Sequence, residues 1–442
     1  MLDIPKTQYA NCDGIYIAYQ VFGEGEKDLV YVPGTISNIE MAWEDANFVN
    51  FFSKLAECFR VIIFDKRGQG VSDPIQGAPN FEERMEDVGA VMESAGSRSA
   101  TLLGTSEGGP MCILFAATYP EKVDNLVLHS SMAKFCAGED YPYVPTKEYL
   151  VEEFPKKWGT REAIEIFAPN ILGDVEAEKA FLRFQRQVCS PNIIRQTYEM
   201  TTKMDVRPIL PLIDVPTLIL HHRKDRAVNY CNGRYLADHI PNATYLELPG
   251  RDHVMFLGET QDVVRAVTQF AETAKTADSA PEKRLSTVLF TDIVGSTEML
   301  SQMGDHRWRK TLDRHDALTS EVVAEFNGRV VKSTGDGILA IFDKPSRAIR
   351  CAAGLVGVLG ESEILIRAGL HVGEIRVRGD DVTGMVIHTA ARVVDKARAG
   401  EVLITRLLAD LTADQGFTVE DRGAHSLKGQ SEQTELLRIQ CL

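Results

Sequence analysis

Two hydrophobic rhythms alternate along the chain from Asp28 to about Phe270. Five short runs are apolar at successive positions: Asp28-Leu-Val-Tyr-Val, Arg60-Val-Ile-Ile-Phe, Ala100-Thr-Leu-Leu, Asn125-Leu-Val-Leu and Pro216-Thr-Leu-Ile-Leu. A strand buried on both faces requires that pattern. Between them, segments such as 81–95 and 111–119 place apolar residues three or four positions apart, the period of a helix with one buried face. Strand and helix in alternation predict an α/β domain with a doubly wound parallel sheet. Upstream, residues 14–22 alternate apolar and polar side chains and predict an antiparallel edge hairpin. Residues 132–206 carry no strand pattern, and their helical periodicity, aromatics and prolines predict a lid inserted between two strands.

The rhythm breaks at Lys275-Thr-Ala-Asp-Ser-Ala-Pro-Glu-Lys-Arg, which is small, polar and proline-containing. This predicts a linker at 273–284 between a domain at 1–272 and a second at 285–442. Strand signals resume at Ser286-Thr-Val-Leu-Phe and mix with helices to the end, an α+β pattern. A length of 442 residues suits two or three domains of the usual ~100–200 residues.

Composition narrows the class. Hydrophobic residues at 44% and charged residues at 25% are globular values. With 48 basic against 63 acidic side chains the net charge is −15, which argues against binding nucleic acid or anionic membrane. The least polar stretch, near 348–360, falls short of the ~20 residues that span a bilayer. The opening MLDIPKTQYANCDG lacks a basic stretch followed by an apolar run, so no secretory signal is expected. Eight scattered cysteines without a Cys-x-x-Cys pair read as reduced thiols, and a cytoplasmic location is expected.

Leu103-Gly104-Thr105-Ser106-Glu107-Gly108-Gly109 follows a predicted buried strand and opens a predicted helix. It fits G-x-S-x-G, a sharp turn whose glycines avoid neighbouring strands while a serine hydroxyl is raised over the sheet. Backbone N–H groups at such a helix start can bind a developing oxyanion. A hydroxyl nucleophile needs a base, and the base an orienting acid, in the chain order Ser, acid, His for this topology. Asp225 lies after the strand ending at Leu220, and His253 lies in the loop after Tyr245-Leu-Glu-Leu. Asp252 is the local rival; as a chain neighbour of His253 it should point away, so Asp225 is preferred. His221, His222 and Cys112 are expected to pack in the core.

Residues 1–272 resemble an α/β-hydrolase, including Asp65-Lys-Arg67-Gly68-Gln-Gly70-Val-Ser72-Asp73 after a strand. That family usually shows His-Gly after its third strand, where this chain has Pro33-Gly34-Thr35. The resemblance implies oxyanion N–H groups from Thr35 and Glu107. Lid aromatics Phe154, Trp158, Phe167, Phe181 and Phe184 suggest an apolar ester or ligand without naming it.

In the second domain, Phe290-Thr291-Asp292-Ile293-Val294-Gly295-Ser296-Thr297 ends a strand on an aspartate and continues into a small-residue loop. Val330-Val-Lys332-Ser-Thr-Gly335-Asp336-Gly337-Ile reads as a hairpin with Asp336 at its tip. Two carboxylates on adjacent strands suit a pair of Mg²⁺ ions. The Gly295-Ser296-Thr297 backbone suits a polyphosphate. With Ala368-Gly-Leu-His371-Val-Gly373-Glu374, Gly379-Asp-Asp381-Val-Thr-Gly384, Thr389-Ala-Ala-Arg392 and Leu427-Lys428-Gly429, these segments resemble class III nucleotidyl cyclases over 285–442.

The resemblance implies that Asp292, Asp336 and the Ile293 carbonyl hold two Mg²⁺ or Mn²⁺ ions per site, with sites shared across a homodimer. It puts Lys332 and Asp381 at base recognition, a donor and acceptor that favour ATP over GTP. Arg392 would stabilise the transferring phosphorus, and Lys428 would hold terminal phosphates. Where the family has Asn at the ribose, this chain has His388. The expected function is adenylyl cyclase with a catalytic or regulatory hydrolase-fold domain. The alternatives are a carboxylic ester hydrolase with a weak or inactive cyclase domain, or a non-catalytic ligand sensor domain controlling cyclic nucleotide signalling.

Overall fold

The computed structural model describes residues 4–258, 260–274, 283–379, 381–428 and 433–440. The chain divides into two compact units, Met1–Pro281 and Glu282–Leu442. Most of the expected linker, 275–282, lies outside the described residues. A helix runs to Thr273 before it, and Lys283 and Arg284, expected in the linker, already form the start of a strand.

In the first unit β1 (Gln8–Cys12) and β2 (Ile15–Phe22) form the edge hairpin. Its two-residue turn is Asp13-Gly14, both at positive φ (51° and 90°), the backbone twist that matches paired strands. The central strands are β3 (Lys27–Val32), β4 (Phe59–Phe64), β5 (Ala100–Thr105), β6 (Val123–His129), β7 (Thr217–His222) and β8 (Ala243–Leu248). The sheet order is β1-β2-β4-β3-β5-β6-β7-β8, antiparallel as far as β2–β4 and parallel beyond. All six residues of β5 and of β7 are buried, as helices on both faces require. The Ala46–Ala56 and Thr260–Thr273 helices share one core cluster, through Phe51, Phe52, Val263 and Val267. The Phe81–Ser94 helix starts at a capping box between Asn80 and Glu83, worth about 1 kcal/mol.

The expected lid at 132–206 lies between β6 and β7 and is helical from Tyr149 to Thr201, with helices Arg161–Phe167, Val175–Val188 and Pro191–Thr201. Its two ends are tied together where Val206 N–H donates to the Ala133 carbonyl at 2.9 Å.

The second unit is built on β9 (Lys283–Ile293), β10 (Arg329–Ser333), β11 (Ile338–Phe342), β12 (Ile366–Arg378), β13 (Asp381–Thr383), β14 (Val402–Thr405), β15 (Val419–Ser426) and β16 (Gln433–Ile439). Their order is β10-β11-β9-β12-β14-β16-β15, with β13 paired to β12. The long central β9 runs antiparallel to β11 on one side and β12 on the other. The Pro345–Glu361 and Met385–Val394 helices pack against β9 and β12. Among the described residues, no helix is long and apolar enough to cross a membrane.

Candidate active sites

Ser106 leaves the end of β5 at φ 52°, a left-handed conformation costing an L-residue about 1 kcal/mol or more. The turn fits because its flanking residues are glycine. A Cβ on Gly104 would meet Cys112 Sγ at 2.8 Å, and one on Gly108 would meet the Val32 carbonyl at 2.3 Å. Cys112 is thus a core residue behind the turn, as expected. Ser106 N–H donates to the His129 carbonyl at 3.0 Å, and Ser131 Oγ donates to the Ser106 carbonyl at 2.9 Å.

Asp225 and His253 come from the loops after β7 and β8, and His253 Nδ1 lies 2.8 Å from Asp225 Oδ2. Asp225 Oδ1 accepts from Ala227 and Val228 N–H at 2.9 and 3.1 Å. Burial pushes this carboxyl up, but the adjacent His253, His221 and backbone donors outweigh it and hold it below the usual range. The rival Asp252 faces elsewhere: its carboxylate accepts from Asn170 N–H at 2.9 Å and from the Asn170 side-chain amide. The same loop is joined to the lid a second time, where His253 and Val254 N–H donate to the Phe167 carbonyl at 2.8 and 3.3 Å. His221 and His222 are buried at the end of β7, and His221 Nε2 lies 2.9 Å from the Val228 carbonyl. They pack locally, as expected.

Ser106, His253 and Thr35 line one cavity of about 450 Å³ beneath the lid. Trp158, Phe167, Phe181 and Phe184 line it too, whereas Phe154 lies behind, packed edge-on against Trp158 and Phe167. Tyr198 also faces the cavity, with its hydroxyl close to the Thr35 side chain. No motif marks Tyr198. Its signal is helical spacing, since Ile194, Thr197, Tyr198 and Thr201 form the buried stripe of the Pro191–Thr201 helix. Thr35 lies just beyond β3, and Glu107, 1% exposed, starts the helix behind Ser106.

In the second unit, Ile293 N–H donates to the Asp336 carbonyl at 2.8 Å, joining the end of β9 to the β10–β11 turn. Gly337 permits this approach, because a Cβ there would lie 1.9 Å from the Thr291 carbonyl. Ser296 Oγ donates to Asp336 Oδ2 at 2.6 Å. Arg367 donates twice to Asp292 Oδ2, at 2.8 and 2.5 Å. The described bonds therefore use one oxygen of each carboxylate, and the other two oxygens are hard donors of the kind a divalent ion takes. Among the described residues no group of three or more His, Cys, Asp or Glu is arranged for a metal, so this candidate set is two carboxylates plus backbone. Arg367 was not anticipated, though its place opposite Asp292 follows from the pairing of β9 with β12.

Gly295 at φ 71° precedes the Ser296–Met303 helix, so Ser296 and Thr297 form its first turn. Lys332 Nζ lies 3.3 Å from Asp381 Oδ1, with both side chains more than half exposed. The Val382 N–H, then Lys332, holds the Asp381 carboxyl below its ordinary value. His388 and Arg392 lie one turn apart on the Met385–Val394 helix, His388 exposed and Arg392 3.4 Å from Asp395. Lys428 is exposed in the loop after β15. The site residues thus gather as an Asp292–Asp336–Ser296 cluster and a separate Lys332–Asp381 pair.

Residues 41–261 match the Hydrolase_4 family model (serine aminopeptidase, S33), and residues 279–438 match the adenylate and guanylate cyclase catalytic domain. The chain is similar to the serine/threonine-protein kinase pkn2 of Myxococcus xanthus, 32% identical over 162 residues, spanning 35% of this chain and 20% of that protein. It is also similar to the serine hydrolase BPHL of Mus musculus, 24% identical over 266 residues, 59% of this chain and 84% of that one. An esterase from Exiguobacterium antarcticum aligns with a TM-score of 0.54 at 23% identity, over 61% of this chain and all of that one, a likeness of fold. The chain belongs to the α/β-hydrolase family through its N-terminal domain and carries a class III cyclase catalytic domain after it.

Proposed function

We propose that the chain is an adenylyl cyclase, converting ATP to cyclic AMP and pyrophosphate in a homodimer, joined to a serine ester hydrolase. The nucleotide reading is carried by the Lys332–Asp381 pair. A cationic donor beside an anionic acceptor complements the ring-nitrogen acceptor and exocyclic amine donor of adenine, and guanine offers the reverse. Asp292, Asp336 and the Ile293 carbonyl would hold two Mg²⁺ or Mn²⁺ ions, which when bound supply Lewis-acid stabilisation of phosphate charge. The Gly295-Ser296-Thr297 turn and Lys428 take the terminal phosphates. Arg392 offsets charge at the α-phosphorus as the ribose 3′-oxygen, losing its proton, bonds to it and pyrophosphate leaves. His388 presents an imidazole N–H toward the ribose where an amide is usual. Each site draws the two carboxylates from one chain and the base-reading pair with Arg392 from the other.

In the N-terminal domain Ser106 Oγ attacks an ester carbonyl while His253, held by Asp225, takes the proton. Thr35 and Glu107 N–H groups receive the oxyanion. The aromatic cavity takes an uncharged small or medium acyl group.

Product analysis of the purified chain with ATP and Mn²⁺ or Mg²⁺ tests the first activity. Cyclic AMP should form, and Asp292→Ala or Asp336→Ala should abolish it without unfolding the chain; no product with either metal would remove the reading. A fluorophosphonate should label Ser106, and Ser106→Ala should lose both label and esterase activity. A folded wild type that resists labelling would make this domain a ligand-binding one.

A further inference from the structure

Behind the Ser106 turn three charged side chains share the interior: Lys66, Arg84 and Glu107, exposed by 1%, 2% and 1%. Arg84 Nη1 pairs with Glu107 Oε1, and Lys66 Nζ lies 3.6 Å from Glu107 Oε2. Lys66 Nζ also donates to the Gly34 carbonyl. Stability is a poor reason for such a cluster, because withdrawing each ion from water costs several kcal/mol and apolar replacements often do as well.

Its attachments suggest another reason. A trans peptide points its C=O and its N–H in opposite directions across one rigid plane. The Gly34 carbonyl and the Thr35 N–H belong to the same plane, so a grip on the first fixes the aim of the second. That peptide lies against the nucleophile, since a Cβ on Gly34 would sit 3.2 Å from Ser106 Cβ. The following peptide is held from the same loop, where Gln69 Nε2 donates to the Thr35 carbonyl at 2.6 Å. On the other side, Glu107 is the first residue after Ser106, and its carboxylate is held by Arg84 and Lys66.

We propose that Lys66 is the positioning residue of the oxyanion pocket, aiming the Thr35 N–H through the Gly34 carbonyl and the Glu107 N–H through its carboxylate. The inference rests on the esterase reading of Ser106. Burial, aided by the charge of Arg84, drives the Lys66 pKa well below the ordinary lysine value, yet an amine in either protonation state retains N–H donors for Gly34.

The test uses the full chain with a short-acyl p-nitrophenyl ester and an alkyl boronic acid, whose tetrahedral adduct on Ser106 mimics the oxyanion. In Lys66→Met, kcat should fall about 100-fold, with boronate affinity falling in parallel and KM little changed. Where loss of the Lys66 contact to Glu107, which keeps its pair with Arg84, impairs folding, Lys66→Met/Glu107→Gln removes both partners of that contact. It should fold and remain as slow. A purely structural role would return kcat and boronate affinity to wild-type values in the folded double variant, or put the loss into KM, and either result overturns the proposal. A wild type that neither turns over the ester nor takes a phosphonate would remove the esterase reading and this inference with it. An active wild type with an equally active Lys66→Met would remove this inference alone.

Discussion

Arg367 and Asp292 face each other in register on β12 and β9, and both guanidinium donors fall on a single carboxylate oxygen. The pair is about one-third exposed, at 30% and 27%, so its strength is that of a screened ion pair. A divalent ion arriving at Asp292 meets a cation already in place. Arg367→Met should therefore tighten Mn²⁺ binding in the absence of nucleotide by roughly three- to tenfold, the equivalent of about 1 kcal/mol. Calorimetric titration of the full chain with MnCl₂ measures this, and weaker binding in the variant would count against Asp292 as a ligand.

The two aspartates near His253 should separate cleanly. Asp225→Asn should leave the fold intact and reduce ester turnover by about 10⁴-fold, because the amide cannot hold the imidazole in the proton-accepting tautomer. Asp252→Ala should retain most of its kcat but lose about 0.5–1.5 kcal/mol of stability, since the part-buried hydrogen bond from the Asn170 N–H is lost. Steady-state kinetics beside thermal melting distinguishes the two.

Base selection should respond to charge at Asp381. Its carboxyl is held below its ordinary value by the Val382 N–H and Lys332, so it stays an acceptor throughout the neutral range. Asp381→Asn keeps the shape but weakens the acceptor, and kcat/KM for ATP should fall about tenfold or more while that for GTP does not. Competition between the two nucleotides in one reaction checks it.

His371 sets a pH limit on the second domain. Burial lowers its pKa to about 4 from 6.5, while its Nδ1 lies 2.8 Å from Thr405 Oγ1. The unfolded chain binds this proton more readily, so stability is complete above pH ~6.5 and falls as pH drops toward ~4, by roughly 3 kcal/mol at most. Hydrogen exchange of β12 amides at pH 7 and pH 5 should show the loss, and His371→Gln should flatten the difference.

Much of this architecture is legible in the sequence because its signals are local. The unbroken apolar runs of β5 and β7 follow from burial on both faces, and Gly104-Thr-Ser106-Glu-Gly108 announces a turn that side chains at 104 and 108 would obstruct. Chain order points to Asp225 and His253, and the structure places His253 Nδ1 2.8 Å from Asp225 Oδ2. Tyr198, Arg367 and the Lys66–Glu107–Arg84 cluster were not found, since each works through a partner far along the chain. Lys66 reads as a surface charge, yet the fold buries it against Gly34 and Glu107.

The hydrogen bonds between the lid and the His253 loop bear on how this domain chooses substrates. A lid free to hinge would admit large molecules first and test them afterwards. Here Phe167 and Asn170 of the lid are stitched to residues 252–254, so swinging it outward would carry the imidazole off Asp225 and leave Ser106 without its base. On the esterase reading, entry and reactivity would be mechanically opposed. Compounds that slip in while the cover stays down should react, whereas those that must prise it up should bind as slow, unproductive guests.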